Sequence, residues 1–296
     1  MTDTLSYSLH AGGFDFGVRV YPAADPNGAV LVWLHGGAFM FGTLDMPEAD
    51  HVARRLSTSG AVVVSVDYTL STLDGMAGMP PMGEETPGPG PEAFAAEIAA
   101  AGPRSPYPTA SLQTAEAFRW AREHAADWGG DPDRVSLGGA SAGGNLSAGA
   151  AVRLRDEGGA LPASLLLVYP VLHAVLPEAD AELTSMLDDL PAALTFPPEA
   201  TSAINAGYLA GASPGEVYAF PGGHDMRGMP PTLIANAERD RLRPSGEAFA
   251  ADLALGGVDV TLVKERGAVH GYLNEVGDPG AEHTLGIMAR ILSGQG

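Results

Sequence analysis

The chain of 296 residues contains no cysteine, which excludes disulfides, thiol nucleophiles and thiolate metal sites. Positive charge is also scarce: 16 lysines and arginines face 36 acidic residues, giving a formal net charge of −20. Such a charge repels phosphate groups and argues against nucleic acid or an anionic membrane as partner. No apolar run approaches the roughly 20 residues of a membrane span, and no signal peptide is visible at the start. We therefore expect a cytoplasmic protein that binds neither nucleic acid nor membrane.

The sequence does contain a regular alternation of strand-like and helix-like segments. Continuous apolar runs at 29–34 and 61–68 are typical of strands buried on both faces. Further strands are expected at 134–141, 164–170, 231–237 and 258–263, and helices at 111–132, 142–158, 245–257 and 282–292. Strands separated by helices predict an α/β fold over 1–296, a single domain with a mostly parallel central sheet flanked by helices.

Two stretches interrupt this alternation, at about 71–106 and at about 174–228. The first is rich in glycine, proline and methionine, and the second contains acidic and alanine-rich pieces with several prolines. Loops of this length in a compact α/β domain are usually lids or binding segments, so we expect the two inserts to form a small cap. A disordered surface excursion over 80–92 is the alternative for part of the first insert.

Residues 139–143, Gly-Ala-Ser-Ala-Gly, join an expected strand to an expected helix and fit the G-x-S-x-G pattern of a nucleophile elbow. A serine on so tight a turn needs small residues two positions before and after it, and the helix N-terminus supplies free amides. No lysine follows in the place that a phosphate-binding P-loop requires. A serine that only caps a helix is the alternative. The pattern indicates Ser141 as a candidate nucleophile.

A serine hydroxyl needs a base to remove its proton and a carboxylate to orient that base. The expected strand at 231–237 runs into Glu238 and Asp240, and the strand at 258–263 is followed by a glycine-flanked loop that contains His270. Functional groups of open α/β sheets gather in such carboxyl-end loops. We expect Asp240 as the acid, with Glu238 as runner-up, and His270 as the base. A surface carboxylate paired with neighbouring arginines is the alternative for Asp240.

The loop His-Gly-Gly-Ala-Phe-Met-Phe, residues 35–41, follows the first of the buried apolar runs. A tetrahedral intermediate carries an oxyanion that preorganised amides must meet, and glycines let the backbone approach it closely. We expect the oxyanion hole to be formed by the amides of Gly36, Gly37, Ala38 and Ala142. Because a Cβ disfavours positive φ, residue 38 should adopt a conformation that alanine tolerates. A tight turn without a catalytic role is the alternative.

Large apolar side chains follow these glycines. Phe39, Met40 and Phe41, with insert residues such as Met79 and Met82, are expected to line a modest substrate pocket. A pocket of that size predicts a preference for short acyl chains. Ordinary core packing is the alternative for the same side chains.

Together these motifs resemble the α/β-hydrolase superfamily, in the hormone-sensitive-lipase-like branch of bacterial carboxylesterases. The matching stretches are HGGAF (35–39), VVSVDY (63–68), YPTA (107–110), GASAGGN (139–145), MPPTLIANAERDRLR (229–243) and HGY (270–272). The resemblance implies an α/β-hydrolase fold and a serine esterase for small esters, with Ser141, Asp240 and His270 as its catalytic triad. It implies no metal and no organic cofactor. Relatives often form dimers, so a homodimer is left open.

The sequence departs from this branch at several points. Ala38 replaces the third glycine of the usual HGGG loop, Ala140 stands where an acidic residue often precedes the serine, and Arg241 replaces a proline. The usual N-terminal cap segment is nearly missing. Two other functions stay open: amide or formamide hydrolysis with the same triad, and non-catalytic binding of a small molecule on the same fold.

Overall fold

The computed structural model describes residues 3–78 and 91–294. Its strands are β1 (Leu5–Ala11), β2 (Phe14–Tyr21), β3 (Val30–Leu34), β4 (Val62–Asp67), β5 (Val135–Ala140), β6 (Leu165–Val168), β7 (Thr232–Arg239) and β8 (Val260–Val269). They form one sheet in the order β1-β2-β4-β3-β5-β6-β7-β8. β1 and β2 are antiparallel to each other, and β2 is antiparallel to β4. The remaining neighbours are parallel, so the sheet is mostly parallel as predicted.

Helices cover both faces of this sheet. They are α1 (Pro47–Ser57), α2 (Pro91–Ala100), α3 (Thr109–His124), α4 (Ala142–Asp156), α5 (Ala181–Leu187), α6 (Ala192–Thr195), α7 (Pro198–Leu209), α8 (Arg243–Leu255) and α9 (Pro279–Ser293). Alternate residues of β3 point to opposite faces, as in any strand. Val32 therefore packs in a core shared with α3, α4 and α8, whereas Trp33 packs in a second core with α1 and α9.

Several boundaries differ from the sequence expectations. The helix expected at 111–132 ends at His124 and continues as a 3₁₀ turn, Ala125–Trp128, before Gly129 takes a left-handed φ of 78°. The segment expected to be a loop before His270 is the end of β8, which pairs with β7 as far as Val269 across a register shift. The site histidine therefore follows a strand directly. The hairpin β1–β2 and helix α1 had no counterpart among the expected elements.

Both inserts contain helical structure where the chain is described. The first contains a 3₁₀ helix, Leu73–Gly78, and α2, and the second contains α5, α6 and α7. The two inserts touch through backbone, because a Cβ on Gly75 would lie 2.9 Å from the Cα of Ile204 in α7. Met79 and Met82 lie outside the described residues. No helix within 3–78 and 91–294 is long and apolar enough to cross a membrane.

Candidate active site

Ser141 occupies the turn between β5 and α4, with 8% of its surface exposed. Its φ of 52° lies in the left-handed region, and its amide donates a hydrogen bond of 2.9 Å to the carbonyl of Val168. A Cβ on Gly139 would overlap the backbone of Gly143, and a Cβ on Gly143 would overlap carbonyl oxygens at the end of β3. Small residues on either side of the serine are therefore a steric requirement of this turn. Strained backbone of this kind is concentrated at functional sites.

The structure brings Asp240, His270 and Ser141 into one hydrogen-bonded series. Asp240 directly follows β7 and His270 directly follows β8, at the same edge of the sheet as Ser141. The Nδ1 atom of His270 lies 2.7 Å from Oδ2 of Asp240, and its Nε2 atom lies 3.0 Å from Oγ of Ser141. The other carboxyl oxygen of Asp240 accepts a hydrogen bond of 2.8 Å from the amide of Leu242. Asp240 is completely buried, which fixes the carboxylate in this orientation.

The surroundings of His270 make it a stronger base than an ordinary imidazole. Burial lowers the pKa of His270, but the charge and hydrogen bond of Asp240 outweigh this effect, so the pKa is raised above 6.5. Two rings enclose the imidazole, with centroids 4.9 Å away for Tyr169 and 4.6 Å away for Phe196. Only 9% of the His270 side chain is exposed.

The alternatives for the acid do not fit the geometry. Glu238 accepts a hydrogen bond of 2.9 Å from the amide of Gly267 and makes no bond to His270. The arginines beside Asp240 turn away from it, because Arg239 and Arg241 donate to backbone carbonyls of the second insert. Asp240 is thus neither exposed nor a partner in a surface ion pair.

The amides expected in the oxyanion hole are not all available. The amide of Gly36 donates a short hydrogen bond of 2.6 Å to Oε1 of Glu48. Gly36 is therefore not available as an oxyanion donor, contrary to the expectation. Among the hydrogen bonds of the described residues, none is made by the amide of Gly37 or Ala38. Ala142 is the first residue of α4, where amides have no partner within the helix. Three of the four expected amides are therefore able to donate.

The conformation expected for Ala38 was wrong. Gly37, Ala38 and Phe39 have φ angles of 111°, 53° and 64°, so alanine adopts a left-handed conformation that its Cβ disfavours. The cause is a tight turn in which the carbonyl of Gly37 accepts hydrogen bonds from the amides of Met40 and Phe41, at 3.0 and 2.9 Å. The hydrogen bonds of this turn impose the left-handed conformation on residue 38, although its Cβ disfavours it.

The same turn changes the expectation for the apolar side chains. Phe39 and Met40 are 1% and 2% exposed, and the Phe39 ring stacks on Tyr208 of α7 at a centroid distance of 4.0 Å. These two residues are core and do not present a surface to substrate. Phe41 is half-buried and borders a cavity of about 360 Å³, whose described lining also includes Arg19 but none of the triad residues.

Four residues of the site were missed by sequence reasoning: Glu48, Tyr169, Phe196 and Asn274. A proline at the first helical position and acidic residues in the first turn were available signals for the start of α1. They give no indication that the carboxyl of Glu48 is buried. Its partner Asn274 is 226 positions away in the chain, so only the folded structure reveals the contact.

Within 3–78 and 91–294, no group of three or more histidine, aspartate or glutamate side chains is placed to hold a metal ion. The site offers a hydroxyl, a base and a carboxylate in hydrogen-bonded series, and a Cβ on Gly36, in the loop after β3, would lie 3.0 Å from Cβ of Ser141. These are the groups that acyl transfer through a covalent intermediate requires.

Known proteins of the same fold align with most of this chain. A family model described as the alpha/beta hydrolase fold matches residues 31–73 and 100–274. Carboxylesterase NlhH of Mycobacterium tuberculosis is 35% identical over 268 residues, which cover 88% of this chain and 72% of that protein. The crystal structure of EstE1, a thermostable carboxylesterase from a metagenomic library, superimposes with a TM-score of 0.78 at 29% identity, covering 99% of this chain and 89% of that one. Bovine hormone-sensitive lipase is 26% identical over 58% of this chain and 19% of its own length.

The chain therefore belongs to the α/β-hydrolase family, in its hormone-sensitive-lipase-like branch. It is a carboxylic ester hydrolase, as its carboxylesterase relatives and the fold indicate. The family resemblance inferred from the sequence motifs is confirmed.

Proposed function

We propose that this hydrolase cleaves small carboxylic esters with short acyl groups, using Ser141 as nucleophile, His270 as general base and Asp240 as the residue that orients the base. The observation that carries the proposal is the position of the His270 ring, within hydrogen-bonding distance of Asp240 on one side and Ser141 on the other. A base held in this way takes the hydroxyl proton as the oxygen attacks.

The reaction follows from these positions. Oγ of Ser141 forms a bond to the acyl carbon while its proton passes to Nε2 of His270. The tetrahedral intermediate then expels the alcohol, whose oxygen takes that proton from His270, and leaves an acyl-enzyme. Water attacks the acyl-enzyme with His270 again as base, and the carboxylic acid leaves as Ser141 regains its proton.

We assign the oxyanion hole to the amides of Gly37, Ala38 and Ala142. Support comes from the missing partners of Gly37 and Ala38 among the described hydrogen bonds, and from the position of Ala142 at the start of α4. Removing one such donor typically costs about 100- to 1000-fold in kcat.

Short acyl groups are favoured by the narrow approach to the base. Phe196, at the junction of α6 and α7, lies edge-on to His270, and little of the imidazole is exposed. We propose that the inserts at about 71–106 and 174–228 form a cap on a single domain spanning 1–296. Contacts between the first insert and α7 support this arrangement.

The triad is tested by labelling with a fluorophosphonate, which reacts with activated serines. We expect the protein to be labelled at Ser141, and Ser141→Ala to lose both label and esterase activity. Ser147→Ala is a matched control, because Ser147 is a buried serine of α4 that donates to the carbonyl of Gly143. Labelling that survives Ser141→Ala would refute the assignment.

Acyl preference is tested on p-nitrophenyl esters from acetyl to long acyl chains. We expect kcat/KM to be highest for short chains, and a steady rise with chain length would contradict the proposal. Matched amides assayed beside the esters measure whether His270 can also protonate the poorer amine leaving group.

A further inference from the structure

Glu48 is a buried carboxyl group that the proposed reaction does not use. It lies in the first turn of α1 and is 2% exposed. Its Oε1 atom accepts a hydrogen bond of 2.6 Å from the amide of Gly36. Its Oε2 atom accepts hydrogen bonds of 2.8 Å from the hydroxyl of Tyr169 and 3.2 Å from the side-chain amide of Asn274. A side chain of this kind is rarely buried unless its bonding capacity is met.

The three donors come from three different parts of the site. Gly36 begins the glycine turn whose next two amides are proposed to meet the oxyanion. Tyr169 follows β6 and contacts the His270 ring, and Asn274 lies four positions after His270. The backbone of Glu48 is fixed as well, because its carbonyl accepts a hydrogen bond of 2.7 Å from the indole of Trp33. The carboxyl group of Glu48 thus connects the loop at 35–41, which contains the proposed oxyanion amides, to the loop that carries His270.

The partners of Glu48 match a negatively charged acceptor. Burial raises the pKa of Glu48 above its ordinary value, and the bonds from Tyr169 and Gly36, the charge of His270 and the bond from Asn274 oppose that rise without cancelling it. Because all three donors point at the two oxygens, a protonated carboxyl would keep its contacts only if the Tyr169 hydroxyl reversed its role and accepted the proton.

We propose that Glu48 is a positioning residue for ester hydrolysis, holding the amides of Gly37 and Ala38 and the His270 ring at a fixed separation through Gly36, Tyr169 and Asn274. This inference rests on the proposed function of the triad. Displacements of about 1 Å at a catalytic centre can reduce the rate about 100-fold. Hydrogen bonds that fix the oxyanion amides relative to His270 should therefore affect kcat.

The charge of Glu48 adds a second effect that can be measured. Burial lowers the pKa of His270, whereas Asp240 and, to a smaller extent, Glu48 in its ionised form raise it. Removing that charge lowers the pKa of His270, so the imidazole stays neutral to a lower pH. Asp240 faces His270, and Tyr68 and Tyr169, whose pKa is raised by burial, face Glu48. Tyr272, whose pKa is also raised by burial, contacts the ring of Tyr169.

The test replaces Glu48 by glutamine, which keeps the shape and removes the charge. We expect Glu48→Gln to lower kcat for p-nitrophenyl acetate by about 10- to 100-fold with little change in KM. The acidic limb of the kcat/KM profile should move to lower pH, and the rate of fluorophosphonate labelling should fall in parallel.

A matched control is Glu265→Gln. Glu265 is also a buried carboxyl, 5% exposed, but it is bonded to Thr284 and His283 away from the nucleophile. This variant should lose thermal stability while its kcat and acidic limb stay as in the parent.

Parental kcat and an unmoved acidic limb in Glu48→Gln would overturn the positioning role. If Glu48→Gln does not fold, Tyr169→Phe removes one of the three hydrogen bonds and should still lower kcat; parental kcat in that variant would overturn the role instead. The outcome is separable from the triad itself, because a failed triad leaves the parent protein unlabelled by fluorophosphonate.

Discussion

Ala38 and Ala210 are two alanines with left-handed backbone conformations, at φ angles of 53° and 46°. In this region the Cβ of an L-residue crowds a carbonyl oxygen, at a cost of roughly 1 to 2 kcal/mol. Ala38 lies in the loop at 35–41 that follows β3, whereas Ala210 ends α7. Glycine has no Cβ and removes the strain at either position.

We expect Ala38→Gly and Ala210→Gly each to raise the free energy of unfolding by about 1 kcal/mol, or Tm by about 2 °C. Ala53→Gly, in the interior of α1, should instead lower it by about 1 kcal/mol. Thermal denaturation of the three variants measures the difference. If Ala38→Gly lowers the free energy of unfolding as Ala53→Gly does, the left-handed conformation of residue 38 does not strain the protein.

The raised pKa of His270 predicts the pH dependence of the enzyme. The proposed reaction requires a neutral imidazole, so kcat/KM should fall as pH drops through the pKa of His270, which lies above the ordinary 6.5. Asp240→Asn removes the charge that opposes the lowering by burial, and its acidic limb should move to lower pH. Its kcat should fall by about four orders of magnitude, since the imidazole loses its orientation. An acidic limb of the parent below 6.5 would contradict this electrostatic account.

At the level of secondary structure, residues at the end of β7 form hydrogen bonds with the second insert. The guanidinium of Arg239 donates to the carbonyl of Met186 at 3.2 and 3.3 Å, and Arg241 donates to that of Pro177 at 2.9 Å. Asp240 stands between these two arginines. The segment around α5 is therefore held against the loop that carries Asp240.

We expect the double variant Arg239→Ala, Arg241→Ala to release this segment, so that subtilisin cleaves within 174–190 faster than in the parent. Arg227→Ala is the control, because Arg227 lies in the same insert but is exposed and pairs with Asp225. Cleavage rates can be followed by mass spectrometry of the fragments. Equal rates in parent and double variant would show that the arginines do not hold the segment.

The elements that the sequence predicted are those with a local signal. Continuous apolar runs predicted the parallel strands, and the pattern around Ser141 predicted the turn into α4. The hairpin β1–β2 also has a local signal, Gly12-Gly13 between alternating residues. The burial of Phe39 could not be predicted in this way, because it depends on α7, which is distant in sequence. The same holds for Glu48, whose partners come from three separate loops.

The whole molecule carries a formal net charge of −20, which acts on substrates before they reach the site. A field of this sign slows the approach of anions and leaves neutral molecules unaffected. Salt screens it, since the Debye length falls from about 30 Å at 0.01 M to about 8 Å at 0.15 M.

We therefore expect kcat/KM for an ester with an anionic substituent to rise as ionic strength increases from 0.01 to 0.15 M, whereas a neutral ester of equal size should change little. The two substrates assayed side by side at constant pH measure the effect. A rise of the same size for the neutral ester would point to an effect of salt on the enzyme and not on the encounter.

The two hydrogen-bonded partners Ser141 and His270 stand 129 positions apart, and the strand before His270 is an edge of the sheet. During synthesis Ser141 leaves the ribosome well before His270 is made, and among the described strands β8 has only β7 to pair with. Contacts between distant parts of a chain form slowly, because a long loop must close first. With the proposed triad, hydrolytic activity should therefore appear only after β8 has paired, and a chain that stops before β8 should carry a complete elbow with an inert serine.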